Sequence, residues 1–193
     1  MRPASVFAVI WLGWLLSWLG AALWSDRSAK RLRTGEVLVY RMLILAGVLL
    51  SLPLTARHVG APRLWHVGYP GAYLLAAVTL AGIVFAWWAR IHLGRLWSSA
   101  VTHKEHHRVV DTGPYRFVRH PIYTGLLVSA LATTIAQATA IAVGGWLLIV
   151  LGLWRKARAE EHFLAAALEA EAYAAYRRRV PMLLPCVVSR RQE

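Results

Sequence analysis

Apolar and polar positions follow one another along the chain in long blocks. Three apolar runs with at most one charge each occupy residues 6–24, 37–56 and 67–89. Each run is long enough to cross the hydrocarbon core of a bilayer, which takes about 20 helical residues. The pattern therefore predicts three transmembrane helices in the first half of the chain.

A fourth apolar block, residues 122–154, is too long for one span and rather short for two. It is broken near Gln137, which favours a tight helical hairpin in which Gly125, Gly144 and Gly145 allow close helix packing. Residues 158–179 are rich in Ala, Glu and Arg, and helical periodicity predicts an amphipathic helix there. The expected fold is an all-α integral membrane protein with about five transmembrane helices.

Composition supports the same class. The 193 residues are 58% hydrophobic, include ten Trp and have a mean hydropathy of +0.48, more apolar surface than a soluble domain of this size could bury. The net charge of +13 could indicate nucleic acid, but the Lys and Arg residues lie between the apolar runs. That placement is typical of contact with anionic headgroups, so the expected partner is a lipid bilayer and not nucleic acid. The single cysteine, Cys186, excludes an intramolecular disulfide framework.

The distribution of Lys and Arg predicts the orientation. Residues 25–36 contain four, residues 90–120 six and the chain from Arg155 onward eight, whereas the other side contains only Arg2, Arg57 and Arg63. By the positive-inside rule, the 90–119 loop and the C-terminal region are expected in the cytoplasm, with the N-terminus outside. The thirty-residue loop and the tail could then meet at the mouth of the hairpin.

The sequence 113–125, GPYRFVRHPIYTG, forms the junction between this loop and the hairpin. Gly113-Pro114 indicates a turn, and Pro121 suits the first position of a helix because it has no N–H to leave unpaired. We expect free backbone N–H groups at this helix start, which would attract an anion. The alternative is a basic anchor at the cytoplasmic end of a transmembrane helix.

Two further groups of side chains could carry chemistry. His103, His106 and His107 form an HxxHH box of the kind that holds two irons in membrane oxidoreductases, but the other five histidines are scattered and form no second box. Polar loop histidines are therefore favoured over a metal site. Glu160 and Glu161 follow the hairpin, where carboxylates could simply complement a helix dipole.

The ordered set GPYRFVRHPIYTG, then EE, then AYAAYRRRVPMLLP resembles the isoprenylcysteine carboxyl methyltransferase family. The resemblance extends upstream through RIHLGRLWSS and HRVVDTGPY and covers residues 90–185. It implies two parts, three N-terminal helices in residues 1–89 and a catalytic region in residues 90–193. Phospholipid N-methyltransferases are similar at a greater distance.

The resemblance implies S-adenosylmethionine as methyl donor and a lipophilic acceptor that enters from the bilayer. The residues implied as catalytic are Glu161, Arg119 and Lys156, where Lys156 stands at a position that is Arg in the family. The residues implied as cofactor-binding are His107, Arg108, Val109, Gly113, Tyr115, Arg119, His120, Pro121, Tyr123, Glu160 and Glu161. Arg155 and Arg158 flank Lys156, so which of the three cations acts stays open.

Carboxyl O-methylation of an isoprenylcysteine-like acceptor is the expected reaction, in a prokaryotic inner membrane. Methyl transfer to a carboxylate cancels opposite charges at the transition state, so a dry pocket and correct orientation favour it. Phospholipid N-methylation and thiol S-methylation remain alternatives, and each would need a base. A di-iron oxidoreductase that uses the HxxHH box and a non-catalytic assembly factor are further alternatives.

Overall fold

The computed structural model describes residues 2–22, 34–94, 110–167 and 170–185. Within these ranges the regular structure is helical, and the predicted all-α class is confirmed. A 3₁₀ turn covers Gly113–Arg116, and the α-helices are α1 (Pro3–Ala22), α2 (Thr34–Leu50), α3 (Pro53–His58), α4 (Tyr69–Leu93), α5 (Pro121–Gln137), α6 (Ala140–Ala167) and α7 (Ala170–Arg179).

Three helices among the described residues, α1, α4 and α6, are long and apolar enough to cross a membrane. This finding confirms an integral membrane protein. The helices α2 and α5 contain 17 residues each, at the lower limit of length for a span. The count of five spans therefore stays a prediction.

The predicted second span, residues 37–56, is too long. α2 ends at Leu50, and Pro53 begins the separate short helix α3 at its first turn. The physical reason is Pro53, which has no N–H for a helical hydrogen bond and clashes with the preceding turn.

The predicted third span, residues 67–89, ends four residues before the helix does. α4 continues past Ala89 to Leu93, and it buries Arg90 almost completely. The Arg90 guanidinium donates to the Gly94 carbonyl at 2.9 Å and to the Ala21 carbonyl at 3.2 Å, so one cation pairs with the C-terminal carbonyls of both α1 and α4. A cation at two helix C-termini is favourable, which explains how a charged residue fits inside the helix.

The predicted hairpin is present, because α5 ends at Gln137 and α6 begins at Ala140. Ala138 forms the sharp connection with a left-handed φ of 58°. The boundary predicted at Arg158 is wrong: α6 continues from the apolar block through Ala167, and only Ala170–Arg179 forms a separate amphipathic helix. Thus Glu160 and Glu161 lie within the last turns of α6.

Small residues allow two close helix contacts. A Cβ added to Gly82 on α4 would lie 2.6 Å from the Gly125 carbonyl on α5, and one added to Gly145 on α6 would lie 2.7 Å from the Gly47 carbonyl on α2. Gly125 and Gly145 thus allow close helix packing, as predicted, but against α4 and α2 and not between the two arms of the hairpin, whereas Gly144 faces open space. Each arm of the hairpin therefore packs chiefly on an earlier helix, α5 on α4 and α6 on α2.

These contacts give the bundle two ends of different character. At the end we call the site end, the C-terminal turns of α4 and α6 meet the 3₁₀ turn, the start of α5 and α7. At the opposite end, residues 51–65 lie against residues 135–139, where Leu64 N–H donates to the Ala138 carbonyl at 2.7 Å.

Candidate functional site

The 3₁₀ turn that precedes α5 is fixed against α4. Gly113 has φ +57°, and a Cβ there would lie 2.7 Å from the His92 ring, so both conformation and space require glycine. Tyr115 is buried among apolar side chains of α4 and α5, and its hydroxyl donates to the Ala89 carbonyl at 3.4 Å. The Tyr176 hydroxyl on α7 donates to the Tyr115 carbonyl at 2.8 Å and joins α7 to the turn.

Pro121 is the first residue of α5, as predicted, and His120 is its N-cap residue. The prediction of free N–H groups is wrong for the two residues before Pro121. Arg119 N–H donates to the Pro181 carbonyl at 2.9 Å, and His120 N–H donates to the Met182 carbonyl at 3.1 Å. The chain after α7 therefore lies along the start of α5 and occupies donors that an anion could otherwise have used.

Glu161 is 4% exposed and lies between two arginines. The Arg119 Nε donates to Glu161 Oε1 at 2.6 Å, and Arg177 Nη2 lies 3.5 Å from Glu161 Oε2. The other end of the Arg119 guanidinium donates to the carbonyls of Arg177 and Val180. Arg119 thus connects the start of α5, the end of α6 and the end of α7.

Glu160 faces a different set of partners. The Tyr123 hydroxyl donates to Glu160 Oε1 at 2.6 Å, and Lys156 Nζ lies 3.9 Å from the same oxygen. Lys156 Nζ also lies 5.1 Å from the centre of the Tyr123 ring. Of the three cations considered, Lys156 is the one whose described contacts reach Glu160; Arg158 instead lies over the Trp154 ring at 5.0 Å.

His120 lies between the two carboxylates. Its Nδ1 is 3.4 Å from Glu160 Oε2, its Nε2 is 3.4 Å from Glu161 Oε1, and its ring stacks on Tyr123 with the ring centres 5.4 Å apart. Burial lowers the pKa of His120, but its close contacts with the charged carboxylates of Glu160 and Glu161 outweigh burial and leave the pKa above its ordinary value. His120 Nε2 is buried without a hydrogen bond of good geometry.

The structure brings together six of the side chains named from the sequence. Four of them lie within 4 Å of the carboxylates of Glu160 and Glu161: Arg119, His120, Tyr123 and Lys156. Gly113 and Tyr115 pack against α4 instead, and Pro121 sets the start of α5. His107, Arg108 and Val109 lie outside the described residues, as does the whole HxxHH box. Within the described ranges, no group of three or more His, Cys, Asp or Glu side chains could hold a metal ion.

Sequence reasoning missed two contributors to this site. Arg177 was treated only as part of a basic tail, yet it contacts Glu161. The carbonyls of residues 181–183 accept hydrogen bonds from Arg119, His120 and the Thr124 hydroxyl, the last at 2.6 Å. Backbone carbonyls leave no signature in a sequence.

The part of the chain that contains this site is similar to known proteins. Residues 74–166 match the sequence model of the isoprenylcysteine carboxyl methyltransferase (ICMT) family. Protein-S-isoprenylcysteine O-methyltransferase B of Arabidopsis thaliana is 31% identical over 91 residues, which is 45% of this chain and 44% of that protein. A probable protein-S-isoprenylcysteine O-methyltransferase of Oryza sativa subsp. indica is 25% identical over 131 residues, 64% of this chain and 63% of that protein.

A cobalt-zinc-cadmium resistance protein of Cupriavidus metallidurans is also similar, with 33% identity over 96 residues, 48% of this chain and 43% of that protein. The chain thus spans about half the length of the curated relatives it matches. The matched residues 74–166 include most of α4, all of α5 and most of α6, and with them Arg119, His120 and both glutamates. Over this segment, which is slightly less than half of the chain, the protein is similar to the isoprenylcysteine carboxyl methyltransferase family.

Proposed function

We propose that the protein is an S-adenosylmethionine-dependent membrane methyltransferase that transfers a methyl group to the carboxylate of a lipophilic, isoprenylcysteine-like acceptor. The observation that carries this proposal is the pair Glu160 and Glu161, held by separate sets of partners at the site end of a membrane-spanning helix. The pair lies within the segment that matches the ICMT family.

The residues present fit such a cofactor. S-adenosylmethionine carries an ammonium and a sulfonium, and its sulfonium supplies the methyl group when bound. The buried carboxylate of Glu161 and the partly buried carboxylate of Glu160 are the complement of these cations. His120 is the partner most easily exchanged, because its charge depends on a proton, whereas Arg119 stays charged throughout the accessible pH range. An ammonium at the glutamates would replace the charge of His120 and leave the Arg119–Glu161 pair intact.

The described side chains then have separate tasks. Arg119 orients Glu161, and the Tyr123 hydroxyl orients Glu160. Lys156 is 15% exposed beside Glu160 and supplies a cation that can hold the acceptor carboxylate near the methyl group. Transfer to a carboxylate cancels charge, so these residues need to orient the partners and exclude water, and no base is required.

The direct test is transfer of label from methyl-labelled cofactor to a prenylated cysteine with a free carboxylate, using the purified full chain in lipid vesicles. The proposal predicts label in a product that mild base releases, as expected for a methyl ester. Label that resists base would instead support N- or S-methylation. Absence of both label transfer and S-adenosylhomocysteine binding would contradict the methyltransferase assignment itself.

Lys156 offers a test of the acceptor step. Lys156→Gln should lower kcat/KM for the acceptor about 10- to 150-fold, since a hydrogen bond to a charged group contributes about 1.5–3 kcal/mol. Lys156→Arg should restore much of the activity because it keeps the cation. The matched control is Arg155→Gln, which removes the same charge from an exposed neighbour. Equal effects of the two Gln variants would remove Lys156 from the acceptor site.

We also propose that the site end faces the cytoplasm, in a prokaryotic inner membrane, as the Lys and Arg distribution favours. A cysteine placed at position 175 on α7, in a Cys186→Ser background, should react with an impermeant thiol reagent only from the cytoplasmic side. A cysteine at position 59, at the opposite end, should react only from outside. The reverse labelling would overturn the orientation.

A further inference from the structure

Glu161 also lines a second polar feature, a partly open cavity of about 240 Å³ that it shares with Arg158, His162 and Arg177. Arg158 and His162 are one helical turn apart on α6, and Arg177 is on α7. The cavity therefore lies in the groove between these two helices at the site end.

The charge of this cavity is positive. Among the described residues that line it, Glu161 is the one acidic side chain, and both oxygens of that carboxylate already have cationic partners, Arg119 at 2.6 Å and Arg177 at 3.5 Å. The Arg177 side chain is still 47% exposed, and Arg158 and His162 are exposed as well. Their remaining N–H donors can bind an anion that enters from outside the bundle.

An apolar stripe on α6 leads to the cavity. Leu147, Leu151 and Trp154 are exposed and follow at helical spacing, and Arg158 and His162 continue the same face. Arg158 lies over the Trp154 ring at 5.0 Å, which places an aromatic side chain and a cation together where a spanning helix leaves the apolar region. One continuous face thus offers apolar surface to an acyl chain and donors to its headgroup.

We propose that this cavity binds the phosphate of an anionic phospholipid, whose acyl chain lies along Leu147, Leu151 and Trp154. Basic pockets between membrane helices are a recurrent form of anionic headgroup site. Because the donors come from both α6 and α7, a bound phosphate holds α7 against α6. α7 and the residues after it supply the carbonyls that fix Arg119, so the lipid also stabilises the geometry of the acidic pair.

The test compares two lipids with the same chains, dioleoyl-phosphatidylglycerol and dioleoyl-phosphatidylcholine, added to the full chain in detergent. Native mass spectrometry should show phosphatidylglycerol retained over phosphatidylcholine, and the thermal melt should rise with phosphatidylglycerol alone. Each cation near an anionic headgroup contributes about 1 kcal/mol, so Arg158→Gln should weaken phosphatidylglycerol binding about fivefold and Arg158→Gln/Arg177→Gln about 25-fold.

The matched control is Arg178→Gln, which removes one charge from α7 without touching the cavity lining. Equal retention of the two lipids, or an Arg158→Gln chain that binds phosphatidylglycerol as well as Arg178→Gln does, would overturn the proposal.

Two further arms of the experiment use oleate and S-adenosylhomocysteine. If oleate is retained more tightly than phosphatidylglycerol, the cavity binds a carboxylate. If Arg158→Gln loses fivefold in affinity for S-adenosylhomocysteine, the cavity belongs to the cofactor site. Either result contradicts a phospholipid site.

Discussion

Different kinds of contact hold the helices together at the two ends of the bundle. At the opposite end, side chains donate to backbone carbonyls without using any charge: Trp65 Nε1 to Ile135 at 2.9 Å and Gln137 Nε2 to Ser51 at 2.8 Å. At the site end, ionised groups contact one another around Glu160 and Glu161. At both ends these contacts join the hairpin to other parts of the chain. The need to join them therefore does not by itself explain why the site end uses charged side chains.

The difference indicates what the charged end is for. Removing ions from water costs several kcal/mol each, and a buried ion pair often stabilises a protein no better than well-packed apolar residues would. Neutral hydrogen bonds of the kind seen at the opposite end would have connected these helices at lower cost. A concentration of buried charge at one end is therefore better explained by a charged ligand than by stability.

The largest effect is expected from Arg119→Gln. Glu161 is buried, and loss of its arginine leaves a carboxylate with less compensation and frees two carbonyls of the α7 region. Breaking a buried pair on one side costs about 3–5 kcal/mol, which denaturant unfolding in micelles would measure as a lower free energy of unfolding. The control is Arg116→Gln, since Arg116 lies exposed over Phe117 at 4.7 Å. Similar unfolding curves for the two variants would show that the Arg119 contacts do not hold the site end.

A smaller and more selective effect is expected at the opposite end. Gln137→Leu keeps the side-chain size but removes the donor to the Ser51 carbonyl. Loss of one neutral hydrogen bond should lower the free energy of unfolding by about 0.5–1.5 kcal/mol and leave the affinity for S-adenosylhomocysteine unchanged. Weaker binding of S-adenosylhomocysteine by this variant would show that the two ends are coupled and would contradict the assignment of ligand binding to the site end alone.

The mildest change is a response to pH. The pKa of His120 is raised, because its close contacts with the charged carboxylates of Glu160 and Glu161 outweigh the burial that lowers it. The raised value means that His120 adds stability that is fully present below its unfolded pKa of about 6.5 and is lost as the pH rises through its folded pKa. Thermal melts of the ligand-free protein should therefore fall more steeply across this range than melts of His120→Gln. Parallel curves would contradict a protonated His120 between the carboxylates.

The sequence predicted the features that depend on local pattern. Apolar runs indicated the membrane helices, and Pro121 indicated the start of α5 because its missing N–H is tolerated only there. The sequence did not predict that Arg90 would be buried, since its partners are the carbonyls of Gly94 and the distant Ala21. Arg177 and the carbonyls of residues 181–183 were missed for the same reason. Contacts between residues far apart in the chain leave no periodic signal.

The central claim is that Glu161 carries its charge for a cationic ligand and not for the fold. Calorimetric titration of purified Glu161→Gln with S-adenosylhomocysteine, whose ammonium is the relevant cation, tests it directly. The control is Glu171→Gln, which removes a carboxylate from an exposed position on α7. The claim predicts an affinity loss of about 10- to 150-fold for Glu161→Gln and no loss for the control, as expected for a charge-assisted contact of about 1.5–3 kcal/mol. Unchanged affinity together with a lowered melt would contradict it and would leave the acidic pair with a structural role.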